Sequence, residues 1–251
     1  AQSLFQMGGN IGASIGPLAA AIVVLYGQGS VAWFALAAVT GMTVLFGVGR
    51  WYASHGMARM KAMAPRRELG LTRGRVTAAM AILIALMVSK FVYTASMSSY
   101  YTFYLIEHFH VPGSTPQIYL FVYLASVAVG TVLGGALGDR FGRKFVIWFS
   151  ILGVLPFTLA LPYANQLWTV ILTVPIALIL ASAFPAIVVY GQELLPLRVG
   201  TVAGLFFGLA FGLGGIGAAL LGGLADAAGV EYVFHLCSFL PVIGLLAAFL
   251  P

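Results

Sequence analysis

Gly134-Gly135-Ala136-Leu137-Gly138-Asp139-Arg140-Phe141-Gly142-Arg143-Lys144 stands between two apolar runs, roughly 117–138 and 145–163. Each run is close to the ~20 residues that an α-helix needs to cross a bilayer. The string therefore reads as a tight hairpin between two helices at a membrane surface. Its glycines permit close helix approach and a sharp turn. Asp139 is placed to cap the next helix, where negative charge is favoured. Arg140, Arg143 and Lys144 can pair with acids or lipid phosphates.

Outward from this hairpin the pattern repeats. Eight apolar stretches of spanning length lie at roughly 4–26, 31–52, 76–106, 117–138, 145–163, 167–190, 200–225 and 231–250. Of the 251 residues, 61% are hydrophobic and 7% charged, against about 25% charged in a soluble domain. Mean hydropathy is +1.04. So few charges cannot solvate a globule of this size, which excludes a soluble enzyme, a disordered tail and a coiled coil. The runs lack the polar/apolar alternation of barrel strands. The expected fold class is an all-α membrane protein. The lone Cys237 excludes a disulfide framework and a cysteine metal cluster. A start at Ala1-Gln2-Ser3 and an end in Phe249-Leu250-Pro251 read as a piece of a longer chain.

Short links carry turn residues: Gly27-Gln28-Gly29-Ser30, Pro112-Gly113-Ser114-Thr115-Pro116 and Ala164-Asn165-Gln166. One long polar stretch, 53–75, separates two spans from six. Alternating the loops puts 53–75, 139–144 and 192–199 on one side, with Arg50 at an adjoining helix end. That side holds Arg50, Arg59, Lys61, Arg66, Arg67, Arg73, Arg75, Arg140, Arg143, Lys144 and Arg198, every Lys and Arg except Lys90. The opposite loops, 27–30, 107–116, 164–166 and 226–230, hold no Lys or Arg. The positive-inside rule makes the basic side cytoplasmic, and with it both ends of the chain. The net charge of +6 then points to membrane lipid as a partner, not to nucleic acid.

Lys90 lies about 21 Å along its helix from Val76, near mid-membrane. A lysine there costs at least ~2.5–3.5 kcal/mol unless it faces water or a partner. At 100° per residue, Lys90, Tyr93, Ser96, Met97, Tyr100 and Tyr104 share a face about 120° wide. Lys90, Tyr93, Ser96, Tyr100 and Tyr104 are the candidate substrate-binding residues, with Lys90 attracting an anion. The alternative is an ion pair between Lys90 and an acid on a helix outside this chain.

Glycines recur every four residues on three spans: Gly8, Gly12 and Gly16, followed by Pro17; Gly130, Gly134 and Gly138; Gly204, Gly208 and Gly212. Such faces suit close helix packing. Glu193 and Arg198 flank Pro196 at the cytoplasmic surface. With Asp139, Arg140, Arg143 and Lys144 they form a candidate gate, Glu193 pairing with Arg143 or Arg198 in one conformational state. A solvated turn is the plainer reading. Asp226 and Glu231 have no basic neighbour in sequence and receive no role. His55, His108, His110 and His235 lack metal-ligand spacing. No phosphate-binding loop and no Ser/His/Asp grouping is present, so neither a cofactor nor enzymatic activity is expected.

Gly135, Asp139, Arg140, Gly142, Arg143 and Lys144 resemble the signature loop of the major facilitator superfamily, Gly-x-x-x-Asp-Arg-x-Gly-Arg-Lys/Arg. The first span resembles the glycine-rich fifth helix of its drug antiporters. The resemblance implies helices five to twelve of a twelve-helix bundle: 1–52 as the last two helices of the N-terminal half, 53–75 as the cytoplasmic linker, and 76–251 as the six-helix C-terminal half. Val31-Ala32-Trp33-Phe34, Ser98–Leu105, Tyr190–Pro196 and Gly204–Gly208 resemble exporters of a phosphonate antibiotic within that superfamily. The likeness implies antibiotic efflux across the bacterial inner membrane by alternating access, in exchange for protons. In the superfamily the helix of Lys90 lines the central cavity, and the fifth and eighth helices pair across the two halves, so the resemblance implies that the row Gly8, Gly12, Gly16 meets the row Gly130, Gly134, Gly138. A carrier of another organic anion, such as a sugar phosphate, would use Lys90 in the same way. A membrane enzyme acting on lipid phosphates would need a catalytic cluster that the sequence does not show. A receptor or scaffold with this fold is a third alternative.

Overall fold

The computed structural model describes residues 2–23, 32, 34–61 and 72–250, and every regular element among them is helical. In order these are α1 (Gln2–Val23), α2 (Phe34–Lys61), α3 (Arg73–Phe109), α4 (Thr115–Phe141), α5 (Arg143–Leu152), α6 (Leu155–Ala160), α7 (Gln166–Leu194), α8 (Val199–Ala228) and α9 (Val230–Ser238). Tight 3-10 turns occupy Leu161–Tyr163 and Pro196–Arg198, and a 3-10 segment covers Leu240–Phe249. Among the described residues, seven helical segments are long and apolar enough to cross a membrane. Helix α1, with 22 residues, has the length to span, about 33 Å, but is not among those seven. The expected link Gly27–Ser30 and the linker residues 62–71, with Arg66 and Arg67, lie outside the described residues. So do the side chains of Pro17, His55, Arg59 and Lys61.

Two spans expected to be continuous are broken, and proline explains both. Pro156 has no N–H, and its ring conflicts with the carbonyl four residues earlier. That carbonyl belongs to Leu152, where α5 ends. Pro241 stands in the same relation to Cys237, one residue before the end of α9. Past the break, the Phe239 N–H donates to the Cys237 carbonyl, and the Ser89 hydroxyl on α3 donates to the Leu240 carbonyl at 2.6 Å.

The glycine rows pack differently from expectation. A Cβ built at Gly130 would stand 2.4 Å from the Leu178 carbonyl oxygen, and one at Gly134 would stand 2.3 Å from the Ser182 Cα. Their neighbour is α7, not α1. Ser182 donates its own hydroxyl to the Ile179 carbonyl at 2.6 Å, so α7 shows Gly134 a surface with its polar group already paired. Helix α1 does pack on α4, through another face: Ser3 abuts Gly135, and Asn10 Nδ2 donates to Thr131 Oγ1 at 2.7 Å. Gly8, Gly12 and Gly16 meet nothing within 4 Å. The expected meeting of the two glycine rows therefore fails, because the more polar residues of α1 take the contact. Gly138 approaches only Val146, at 4.0 Å, and Gly204, Gly208 and Gly212 are open. The close approach of α8 to α3 uses Gly217, against Val92, and Gly222, against the Tyr100 hydroxyl.

Two buried clusters form the core of the bundle. One, at the end carrying Asp139–Lys144, joins Leu83, Met87, Ile147, Ile187 and Phe206. The other, toward the opposite end, joins Met97, Tyr101, Tyr123, Ile176 and Phe234. By contrast, every described side chain of α2 is exposed.

Gly142 breaks the chain between α4 and α5 at φ 91°, ψ 150°, a region open in practice to glycine alone. Gly142→Ala should cost about 1–3 kcal/mol for that reason. A thermal melt of the purified protein checks it; an unchanged midpoint means the hairpin can relax around a side chain.

Candidate functional site

A cavity of about 910 Å³ opens between α1, α3, α4, α7 and α8. Lys90, near the midpoint of α3, is among its lining residues and only 9% exposed. The described ion pairs do not include it. Its ammonium instead lies 5.2 Å from the ring centroid of Phe91 and 5.0 Å from that of Phe184 on α7. Phe91 and Phe184 meet edge to face, as do Phe184 and Phe207 of α8. Gln6 and Asn10 of α1 and Thr131 of α4 form a polar part of the opposing wall. The buried Gln6 amide has no hydrogen-bond partner among the described residues.

Lys90 is separated from the other candidate substrate residues. Ser96, Tyr100 and Tyr104 do not line the large cavity; Tyr93 borders only a small void beside Lys90. Ser96 is buried and donates to the Tyr93 carbonyl at 2.8 Å. The Tyr100 hydroxyl donates to the Ala218 carbonyl of α8 at 2.6 Å, so it staples two helices. Tyr104 stacks on Phe234 with centroids 4.3 Å apart. Helix geometry explains the split. Counting 100° per residue from Lys90, the tyrosines and Ser96 lie about 40–120° to one side, whereas Thr94 and Phe91 lie about 40° and 100° to the other. Lys90 sits on the seam, and the cavity is on the Thr94 side. Taking the polar face as a single surface hid that seam.

At the basic end, Arg143 Nη1 lies 3.0 Å from Asp139 Oδ1, and Nε lies 3.4 Å from Glu193 Oε1. The same Nη1 donates to the Gly138 carbonyl at 2.8 Å. Arg143 thus joins the α4–α5 hairpin to the end of α7. Lys144 donates to the Leu250 carbonyl, and Arg140 lies over the Phe141 ring. Arg198 is exposed on its 3-10 turn and takes no part in the described ion pairs; of the two pairings open to Glu193, this structure has the one with Arg143. Exposed pairs contribute about 0–1 kcal/mol. Glu193→Gln should therefore shift the melting midpoint only slightly; a collapse in folded yield would show that this pair carries structure.

At the opposite end, His108 Nδ1 lies 3.4 Å from Glu231 Oε2, and His235 Nε2 lies 4.0 Å from Oε1. His235 stands four residues beyond Glu231 on α9, a spacing legible in sequence, whereas His108 comes from another helix. Among the described residues no group of three or more His, Cys, Asp or Glu could hold a metal ion.

The sequence model of the Major Facilitator Superfamily matches residues 1–216 and, in a second alignment, 82–251. The chain belongs to the major facilitator superfamily. Among its relatives is the fosmidomycin resistance protein of Escherichia coli (strain K12), 55% identical over 253 residues, an alignment taking in all of this chain and 62% of the relative. An uncharacterized MFS-type transporter of Bacillus subtilis (strain 168), YfnC, is 41% identical over 256 residues with the same coverage. The chain spans about three-fifths of the length of these curated relatives. No solved structure matches. The hairpin Gly135–Lys144, on which the resemblance to the superfamily rests, is the segment whose Arg143 ties α4 to α7. The cavity partners of Lys90 on α7 and α8, Phe184 and Phe207, carry no sequence signal, because phenylalanine in an apolar span reads as lipid-facing or core.

Proposed function

We propose that the full-length protein is a secondary transporter that exports small anionic antibiotics of the fosmidomycin type across the bacterial inner membrane, in exchange for protons. The observation that supports this reading is Lys90: a buried ammonium without a described acidic partner, on the wall of a cavity of about 910 Å³. A cation in a medium of reduced dielectric attracts an anion strongly. In this reading 76–251 rocks as the C-terminal half against a half that includes 1–52, with 53–75 as a cytoplasmic linker and both ends of the chain cytoplasmic. The Arg143–Asp139–Glu193 cluster ties helix ends in one state and releases them in the other. Every described Asp and Glu sits in the first or last turn of a helix. Proton coupling then uses a buried carboxylate on a helix beyond these residues.

Everted membrane vesicles from cells expressing the full-length protein test the proposal. Respiration acidifies their interior, and fosmidomycin should accumulate inside until a protonophore collapses the gradient. Accumulation indifferent to the protonophore rules out proton exchange. Accumulation of a sugar phosphate but not of fosmidomycin favours the other organic-anion carrier.

A further inference from the structure

A buried cation needs compensation, and here ring faces supply it. Lys90 Nζ stands 5.0 Å from the centroid of Phe184 and 5.2 Å from that of Phe91. The two rings are near perpendicular, at 86°, with centroids 5.1 Å apart. Phe184 is held in turn by Phe207, at 5.3 Å and 81°. The cradle thus draws on α3, α7 and α8. A ring face attracts a cation through its quadrupole and carries no net charge. A carboxylate in the same place would cancel the ammonium; the rings steady it and leave its charge available.

We propose that Phe184 is a positioning residue for the substrate anion, holding the Lys90 ammonium on the cavity wall without neutralising it. This rests on Lys90 being the anion anchor. It adds a requirement: substrate affinity depends on the electron density of the ring at position 184, not only on its bulk. Phe207, edge-on to Phe184, keeps that ring in place.

The test is binding of radiolabelled fosmidomycin to the full-length protein in detergent. Phe184→Leu keeps an apolar side chain and removes the ring; it should weaken binding by about fivefold to thirtyfold, the span from an exposed to a desolvated cation–π contact. Phe184→Trp should bind within about twofold of the parent, since tryptophan is the strongest cation-binding ring. Replacing Phe184 with mono-, di- and trifluorophenylalanine, introduced by nonsense suppression, drains the ring face stepwise at nearly constant shape. Affinity should fall at each step. A flat fluorination series overturns the proposal even if Phe184→Leu binds poorly or fails to fold, since Phe184 would then act by packing. Lys90→Gln, measured beside them, separates the two levels. If it binds like the parent, the anchor itself is wrong; if it loses binding while the fluorinated series stays flat, only the cradle is.

Discussion

Lys90→Gln should abolish resistance to an anionic drug while leaving the protein in the membrane at its normal level. Glutamine keeps much of the length and polarity of lysine and removes the charge. At an effective dielectric of ~20, an ammonium and an anion 4 Å apart attract by about 4 kcal/mol. Losing that much corresponds to a drop in affinity of roughly a thousandfold. Folding should not suffer, because a buried lysine is itself costly in a membrane and Lys90 belongs to no described ion pair. Lys90→Arg should keep part of the activity, since the charge remains while the compact ammonium is replaced by a planar fork. Drug susceptibility of cells expressing each full-length variant at matched membrane levels is the readout. Full resistance from the glutamine variant would show that Lys90 is structural or dispensable.

The second large effect is expected at Gly134. A Cβ there would stand 2.3 Å from the Ser182 Cα and 2.4 Å from the Ser182 carbonyl oxygen. Both are backbone atoms of a long helix and cannot step aside. Gly134→Ala should therefore push α4 from α7, at an overpacking cost of about 1–3 kcal/mol. The helix-propensity gain of alanine, ~1 kcal/mol, offsets only part of it. Gly134→Val should be worse and reduce folded yield outright. Gly12→Ala and Gly208→Ala are the controls: nothing lies within 4 Å of either new methyl group, so neither should destabilise. Thermal midpoints and monodisperse yield in detergent decide. Equal stability of Gly134→Ala and Gly12→Ala would mean that the α4–α7 contact is looser than the structure shows.

How far each feature was legible depends on the range of the interaction behind it. The hairpin at Gly135–Lys144 was readable because its chemistry is local: apolar runs, a turn glycine and charges at a helix end. The spans were readable because a bilayer imposes length and composition on each helix separately. Glycine spacing, by contrast, shows that a helix has a smooth face but not which neighbour uses it. Gly134 and Gly12 look alike in sequence; one lies under Ser182 and the other is open. The α3 face failed in a related way. Its polar residues share one stripe, yet Tyr100 reaches the Ala218 carbonyl and Lys90 reaches the cavity, because two different neighbours divide the stripe between them. Phe184, and Glu231 in its contact with His108, gained those partners only through tertiary contacts.

Equilibrium binding of radiolabelled fosmidomycin to the purified full-length protein, parent against Lys90→Gln, addresses the anion anchor most directly. The parent should bind saturably. The variant, eluting at the same position and melting at a similar temperature, should bind at least about a hundredfold more weakly, in keeping with loss of a buried charge interaction. Equal dissociation constants for the two proteins would contradict an anion held at Lys90.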